Sequence, residues 1–174
     1  MQRPEANNVK PPEGNLDVVG ALHTYLADAT PGSTKYLAFR DFNNLIATHV
    51  TLSFHLLVLP SEKVRVGGLR RRIPENKMSQ LRIEEANLAA MNVAIERDCV
   101  RNPAYEQEHK IFVMFFENIV AGLTGREFSY RPFNPIAPPY FEAAGDAHFV
   151  FAQEDSLLYQ KAHPPSQPDT SSSN

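Results

Sequence analysis

The chain has 174 residues, of which 43% are apolar, and both values are typical of a single folded domain with a sizeable core. Its 17 basic and 20 acidic side chains nearly cancel, so the surface as a whole is not built to attract nucleic acid or a membrane. The single cysteine, Cys99, excludes an internal disulfide framework and an all-thiolate metal site, and it fits a reducing compartment.

The first residues of the chain predict neither export nor organelle targeting. Residues 1–15 lack the apolar centre of a secretory signal and the arginine-rich, amphipathic character of a transit peptide. The longest apolar run, residues 111–116, is far shorter than the roughly 20 residues of a membrane helix. We therefore expect a soluble protein without a membrane partner, located in the cytoplasm or within an assembled particle.

Both ends of the chain are rich in proline and polar residues. Residues 1–14 have too few apolar side chains to offset the entropy of ordering them, which predicts a flexible N-terminal arm. Residues 163–174 (HPPSQPDTSSSN) predict a disordered C-terminal tail. A single globular domain is then expected over residues 15–162.

The predicted domain begins with helical periodicity, which then changes to that of a strand. Apolar residues from Val18 to Ala29 recur at spacings of three and four, which predicts a first helix. Residues 34–40 are predicted as a strand and residues 41–44 as the turn that follows it. Residues 46–59 alternate in polarity, which predicts a second strand whose core face includes Val50, Leu52, Phe54, Leu56 and Val58.

Two consecutive helices are predicted next. Apolar residues between Met78 and Cys99 form one stripe, which indicates an amphipathic helix. The second of these helices is predicted to begin at Asn102 and Pro103, which have the chemistry of a helix cap and a first-turn proline. Gly125 provides the stop signal at its other end. Apolar side chains nearly all round this third helix indicate that it is central in the core or covered by another subunit.

The last part of the domain contains a proline-rich segment and a predicted closing strand. Residues 131–141 (RPFNPIAPPYF) contain four prolines, which predicts an extended segment, and residues 147–153 are predicted as a strand. These elements together predict an α+β fold, or a mixed α/β fold, with a small and mainly antiparallel sheet and helices on one face.

The proline-rich segment also carries candidate contact residues. It could bind an aromatic-lined groove on a partner, or it could cover the protein's own core, and packing on the core is the favoured interpretation because a large exposed apolar patch is rare. The side chains concerned are Phe133, Ile136, Tyr140 and Phe141.

A strongly basic stretch, EKVRVGGLRRRIPENK, occupies residues 62–77. The pair Gly67 and Gly68 could expose backbone amides to an anion, although the stretch lacks both an aromatic for base stacking and the ending of a phosphate-binding loop. Three interpretations stay open: a solvated loop, a contact with the acidic residues of 142–155 in the same or another subunit, or a site for nucleic acid or another polyanion. Its six cationic residues are Lys63, Arg65, Arg70, Arg71, Arg72 and Lys77.

Candidate catalytic and metal-binding residues are few. His49 and His55 would share one face of the predicted strand, but at a spacing that does not suit a metal site, and Ser53 lies in no recognised nucleophile motif. We predict no catalytic residue, metal or cofactor. The favoured hypothesis is a non-enzymatic structural or assembly subunit of a larger complex, such as a virion or phage-tail component, in contact with copies of itself or with other subunits. The alternatives are a polyanion-binding module that uses the basic stretch and an enzyme with a dispersed site.

Overall fold

The computed structural model describes residues 11–65 and 75–165, with side chains described for 17–57 and 77–165. Every regular element within these residues is an α-helix, so the predicted α+β or mixed α/β fold is wrong. The five helices are α1 (Pro11–Leu26), α2 (Thr34–Arg65), α3 (Glu75–Arg101), α4 (Pro103–Thr124) and α5 (Pro138–Ala162).

Helix α2 replaces both predicted strands and the turn between them. Its buried side chains recur at spacings of three and four, which gives the helix one continuous inner face. Leu52 is 6% exposed and Phe54 is 46% exposed, although a strand would place both on the same face. The residues of the inner face are Ala38, Phe39, Phe42, Leu45, Ile46, His49, Leu52 and Ser53.

Two threonines in α2 show how a helix accommodates residues that usually favour strands. The Thr48 hydroxyl donates to the carbonyl of Asn44 at 3.0 Å, and the Thr51 hydroxyl donates to the carbonyl of Ala47 at 2.9 Å. Such bonds to the preceding turn satisfy the hydroxyl groups within the helix itself. Their strand propensity therefore does not decide the local structure.

Helix α5 replaces the predicted closing strand at residues 147–153. Ala143, Ala144 and Ala147 are buried on its inner face, followed by Phe151 and Leu158. Small side chains at the start of this face let α5 approach its neighbours closely, and the larger ones fill the core further along the helix. Pro138 and Pro139 form the first turn of α5, where the missing amide hydrogen of proline costs no helical bond.

The predicted ends of α4 are confirmed. The Asn102 side chain accepts a hydrogen bond from the Ala104 amide at 3.0 Å, and Pro103 occupies the first turn. Gly125 ends the helix with a φ of 70°, a value that favours glycine, and its amide donates to the Ala121 carbonyl at 2.8 Å. Helix α4 packs against each of the other four helices, so it lies at the centre of the fold.

Aromatic rings from three helices fill the core around Phe42. This residue of α2 makes edge contacts with Phe116 of α4 and Phe151 of α5, at centroid distances of 6.0 and 5.8 Å. Tyr130, which follows α4, makes a further edge contact at 5.7 Å. Rings at these distances and angles attract one another beyond the area that they bury.

Polar side chains tie the helices together at the margin of the core. Four side-chain pairs each join two different helices by a hydrogen bond. In the first three pairs named below, the donor and acceptor atoms are 2.6 to 3.0 Å apart. The pairs are Tyr105 with Asp41, His55 with Glu84, His23 with Glu154, and Tyr25 with Glu108.

The structure leaves most of the predicted arms outside the described residues. Helix α1 begins at Pro11, within the stretch predicted as the N-terminal arm, and residues 1–10 lie outside the description. The C-terminal residues 166–174 also lie outside it. Among the helices that the structure describes, none combines the length and the hydropathy needed to cross a bilayer.

Candidate interaction surface

The segment that connects α4 to α5, residues 125–137, is held against the middle of α2 by two hydrogen bonds. The Nε2–H group of His49 donates to the carbonyl of Asn134 at 2.6 Å. The amide of Ile136 donates to the Ser53 hydroxyl at 3.1 Å. His49 and Ser53 are four residues apart, so they lie on the same face of the helix and form a pair of anchors for this connecting segment.

The anchor at His49 also determines the state of the imidazole ring. Because Nε2 must carry a hydrogen to donate to a carbonyl, Nδ1 of the neutral ring is an acceptor, and it is buried without a hydrogen-bond partner. Burial lowers the pKa of His49, which keeps the ring neutral. The Tyr130 ring lies 5.2 Å from it, and the Tyr130 hydroxyl is also buried and unpaired.

The two anchor residues are poorly placed for chemistry on a substrate. Side chains of His49 and Ser53 are 1% and 0% exposed, and both are already bonded to the connecting segment. His55 does not join them, because its Nδ1–H group donates to the Glu84 carboxylate at 2.6 Å on the side of α3. The described residues contain no group of three side chains that could hold a metal ion.

The four predicted contact residues of the proline-rich segment have different surroundings. Ile136 is 4% exposed and belongs to the core, while Tyr140 is half-buried and its hydroxyl donates to the Glu127 carbonyl at 3.1 Å. Phe133 is 71% exposed. Phe141 lies in the first turn of α5, where it stacks on Phe54 of α2 at a centroid distance of 6.2 Å.

Two of these aromatic side chains, Phe54 and Phe141, stack on each other, and a third, Phe133, is exposed on the anchored connecting segment. Phe54 follows the anchor residue Ser53, Phe133 precedes the anchored Asn134, and Phe141 stacks on Phe54. We call Phe54, Phe133 and Phe141 the aromatic patch. The sequence interpretation missed Phe54 because alternation assigned it to the core, whereas the helical period of α2 would have placed it outside.

A small cleft accompanies the connecting segment. Its volume is about 260 Å³, and its lining includes Phe128, Arg131, Asn134 and Tyr140. Sites for drug-sized ligands usually enclose about 300 to 1,000 Å³. The cleft therefore suits a single side chain of a partner better than a large cofactor.

The basic stretch at residues 62–77 lies mostly outside the described residues. Arg70, Arg71 and Arg72 fall in the undescribed stretch 66–74, and the side chains of Lys63 and Arg65 are also outside the description. Lys77 is exposed in the first turns of α3. Its proposed acidic partner, residues 142–155, presents only Glu142 and Asp146 fully to solvent, because Glu154 is buried beside His23 and Asp155 is half-buried.

No protein-family model, curated protein or solved structure matches the chain. The geometry of the aromatic patch and of its anchors is then the main guide to function.

Replacing Ser53 with alanine tests the anchoring of the connecting segment. The change removes the acceptor for the buried Ile136 amide, so we expect the free energy of unfolding to fall by about 1 to 3 kcal/mol in urea denaturation. Thr51→Ala is the matched control, because the Thr51 hydroxyl is exposed and bonds only within its own helix; a change under about 0.5 kcal/mol is expected. Equal losses at both positions would contradict the anchor.

Proposed function

We propose that the chain is a non-enzymatic assembly subunit and that the aromatic patch is its contact with another protein subunit. The observation that carries this proposal is the 71% exposure of Phe133, a large aromatic side chain that directly precedes the two anchored residues Asn134 and Ile136. A single exposed apolar residue is ordinary, but Phe133 and the stacked pair Phe54 and Phe141 lie on elements that the same anchors hold together, and several exposed aromatic rings are typical of surfaces that bind other proteins.

The anchors support a contact that is formed in advance. The bonds from His49 to Asn134 and from Ile136 to Ser53 hold the backbone beside Phe133 before any partner arrives. Binding through an ordered segment loses little conformational entropy, which favours affinity for a given contact area. Aromatic side chains at the centre of an interface also contribute a large share of the binding free energy.

The cysteine, serine and histidine side chains of the described residues favour binding over catalysis. Cys99 is half-buried, and burial with nearby acidic side chains raises the pKa of its thiol, so the reactive thiolate is disfavoured. Ser53 and His49 are buried and bonded to the connecting segment. His55, whose ring lies 5.8 Å from that of Phe54, is bonded to Glu84. These features support a role in assembly.

The test compares the full chain with a double variant of the aromatic patch. A tagged chain, expressed at its natural level in its source cells, should co-purify in a complex with another protein identified by mass spectrometry. We expect the double variant Phe54→Ser, Phe133→Ser to reduce the amount of co-purified partner at least tenfold. The reason is that aromatic hot-spot residues contribute about 2 kcal/mol or more each to binding.

The control variant is Phe149→Ser, which removes an aromatic side chain of similar exposure (62%) outside the patch. It should retain the partner, and circular dichroism should show all variants to be equally helical. Recovery of the wild-type chain with no other protein, or equal loss of the partner in the control, would refute the proposal.

A further inference from the structure

Helix α3 carries a second apolar surface that faces away from the core. Its inner face uses Leu81, Leu88 and Ile95, each separated by seven residues and each buried. On the opposite side, Ile83 is 59% exposed, Val93 is 64% exposed and Val100 is 80% exposed. Its main packing partners among the described helices are α2 and α4, so it lies at the edge of the fold.

The exposed apolar residues of α3 follow the spacing of a coiled-coil seam. Starting at Ile83, positions three and then four residues apart fall on one narrow stripe for two and a half heptads. All six residues of this stripe are exposed, and five of them are apolar. We call it the α3 seam: Ile83, Ala86, Ala90, Val93, Arg97 and Val100.

We propose that the α3 seam binds the α3 seam of a second copy of this chain, with the two helices antiparallel. In that arrangement Ile83 faces Val100 of the second copy, and Ala90 faces Val93 at the centre. Arg97 faces Ala86, whose short side chain leaves room for the long arginine. The same residues form both halves of the contact, as two-fold symmetry requires.

Charges beside the seam favour this partner and this orientation. Arg82 and Glu96 are exposed residues that flank the stripe on the same side. Antiparallel pairing places Arg82 of one copy opposite Glu96 of the other, and symmetry makes this contact twice. A parallel pair would instead place Arg97 against Arg97 within the seam, where like charges repel.

The size of the α3 seam indicates a weak, reversible dimer. It is roughly 26 Å long from Ile83 to Val100, at about 1.5 Å per residue. Both helices are already folded as parts of their domains, so pairing does not need to order them. Because the contact is short, we expect dissociation constants in the micromolar range, typical of transient interfaces. This contact does not involve the aromatic patch, and it does not depend on the other protein that we propose to bind at that patch.

Sedimentation equilibrium of the full chain over a concentration series tests the proposal. The wild type should show a monomer–dimer equilibrium. Arg82→Glu and Glu96→Arg should each raise the dissociation constant about tenfold or more, because each creates two like-charge contacts. The combination of both changes should restore it to within about threefold of the wild type, since the pair is exchanged and not removed.

Two further variants separate the alternatives. Arg101→Glu should change the dissociation constant by less than about threefold, because antiparallel pairing places Arg101 opposite the neutral Asn87. A parallel pair would instead place Arg101 against Glu96, and the same change would then weaken the dimer strongly. The Phe54→Ser, Phe133→Ser double variant should dimerise like the wild type, which keeps this test separate from that of the aromatic patch. A monomer at all concentrations to several hundred micromolar, or a dimer indifferent to the Arg82 and Glu96 changes, would overturn the proposal.

Discussion

Replacing Phe42 with alanine should lower the free energy of unfolding by about 3 to 5 kcal/mol. The side chain is 0% exposed, and its ring makes edge contacts with four other aromatic rings, two from α4, one from α5 and one from the connecting segment. Truncation would leave a cavity that rigid neighbouring rings cannot fill. Urea denaturation monitored by circular dichroism measures the loss directly.

Phe54→Ala is the matched comparison for Phe42→Ala. Both residues belong to α2, but Phe54 is 46% exposed and its ring contacts are with His55 and Phe141, so we expect a loss of about 1 kcal/mol or less. The strand interpretation placed Phe54 in the core and predicted a large loss there. A loss at Phe54 equal to that at Phe42 would contradict the helical register of α2.

The elements that were predicted correctly are those whose ends carry strong local signals. Asn102, Pro103 and Gly125 define the limits of α4 by backbone chemistry that needs no distant partner. The seven-residue repeat of Leu81, Leu88 and Ile95 similarly contributes to a helical stripe over α3. In both cases the local preference agrees with the packing in the fold, so the local pattern was sufficient.

Helix α2 was mispredicted because two patterns overlap in it. Residues 50 to 58 alternate in polarity and contain residues that favour strands, but the buried stripe that begins at Ala38 follows the helical period over a much longer stretch. The shorter pattern does not decide the local structure. Packing of the long stripe against α4 and α5 outweighs the local strand propensity.

The anchors of the connecting segment could not be predicted from local patterns. The bond from His49 to Asn134 spans 85 positions in the sequence, and the bond from Ile136 to Ser53 spans 83. Neither pair has a characteristic spacing, because tertiary packing alone brings the residues together. The proline content of the sequence did single out residues 131–141. Their predicted extended conformation is wrong for Pro138 to Phe141, which form the start of α5.

Acidification from pH 7.5 to pH 5.5 should destabilise the fold. Burial lowers the pKa of His49, and it also lowers the pKa values of His109 and His148. Above the ordinary histidine pKa of about 6.5, these three rings are neutral in both the folded and the unfolded protein, and burying them then carries no cost from protonation. As the pH falls toward the folded pKa values, the unfolded chain binds up to three more protons, so stability falls by up to about 4 kcal/mol per pH unit.

Replacing His49 with glutamine isolates the contribution of the anchor. The amide nitrogen of glutamine can donate to the Asn134 carbonyl in place of Nε2, but the side chain does not titrate. Asp155, whose pKa is raised by burial, acts in the opposite direction in both proteins and therefore cancels in the comparison.

We expect His49→Gln to reduce the slope of stability against pH by up to about 1.4 kcal/mol per unit, measured by urea denaturation at several pH values. Thr51→Ala, which removes no titratable group and leaves the anchor in place, should keep the wild-type slope. If the slope is the same in all three proteins, the His49 ring is not held neutral beneath the connecting segment, and the anchor that positions Phe133 is formed differently.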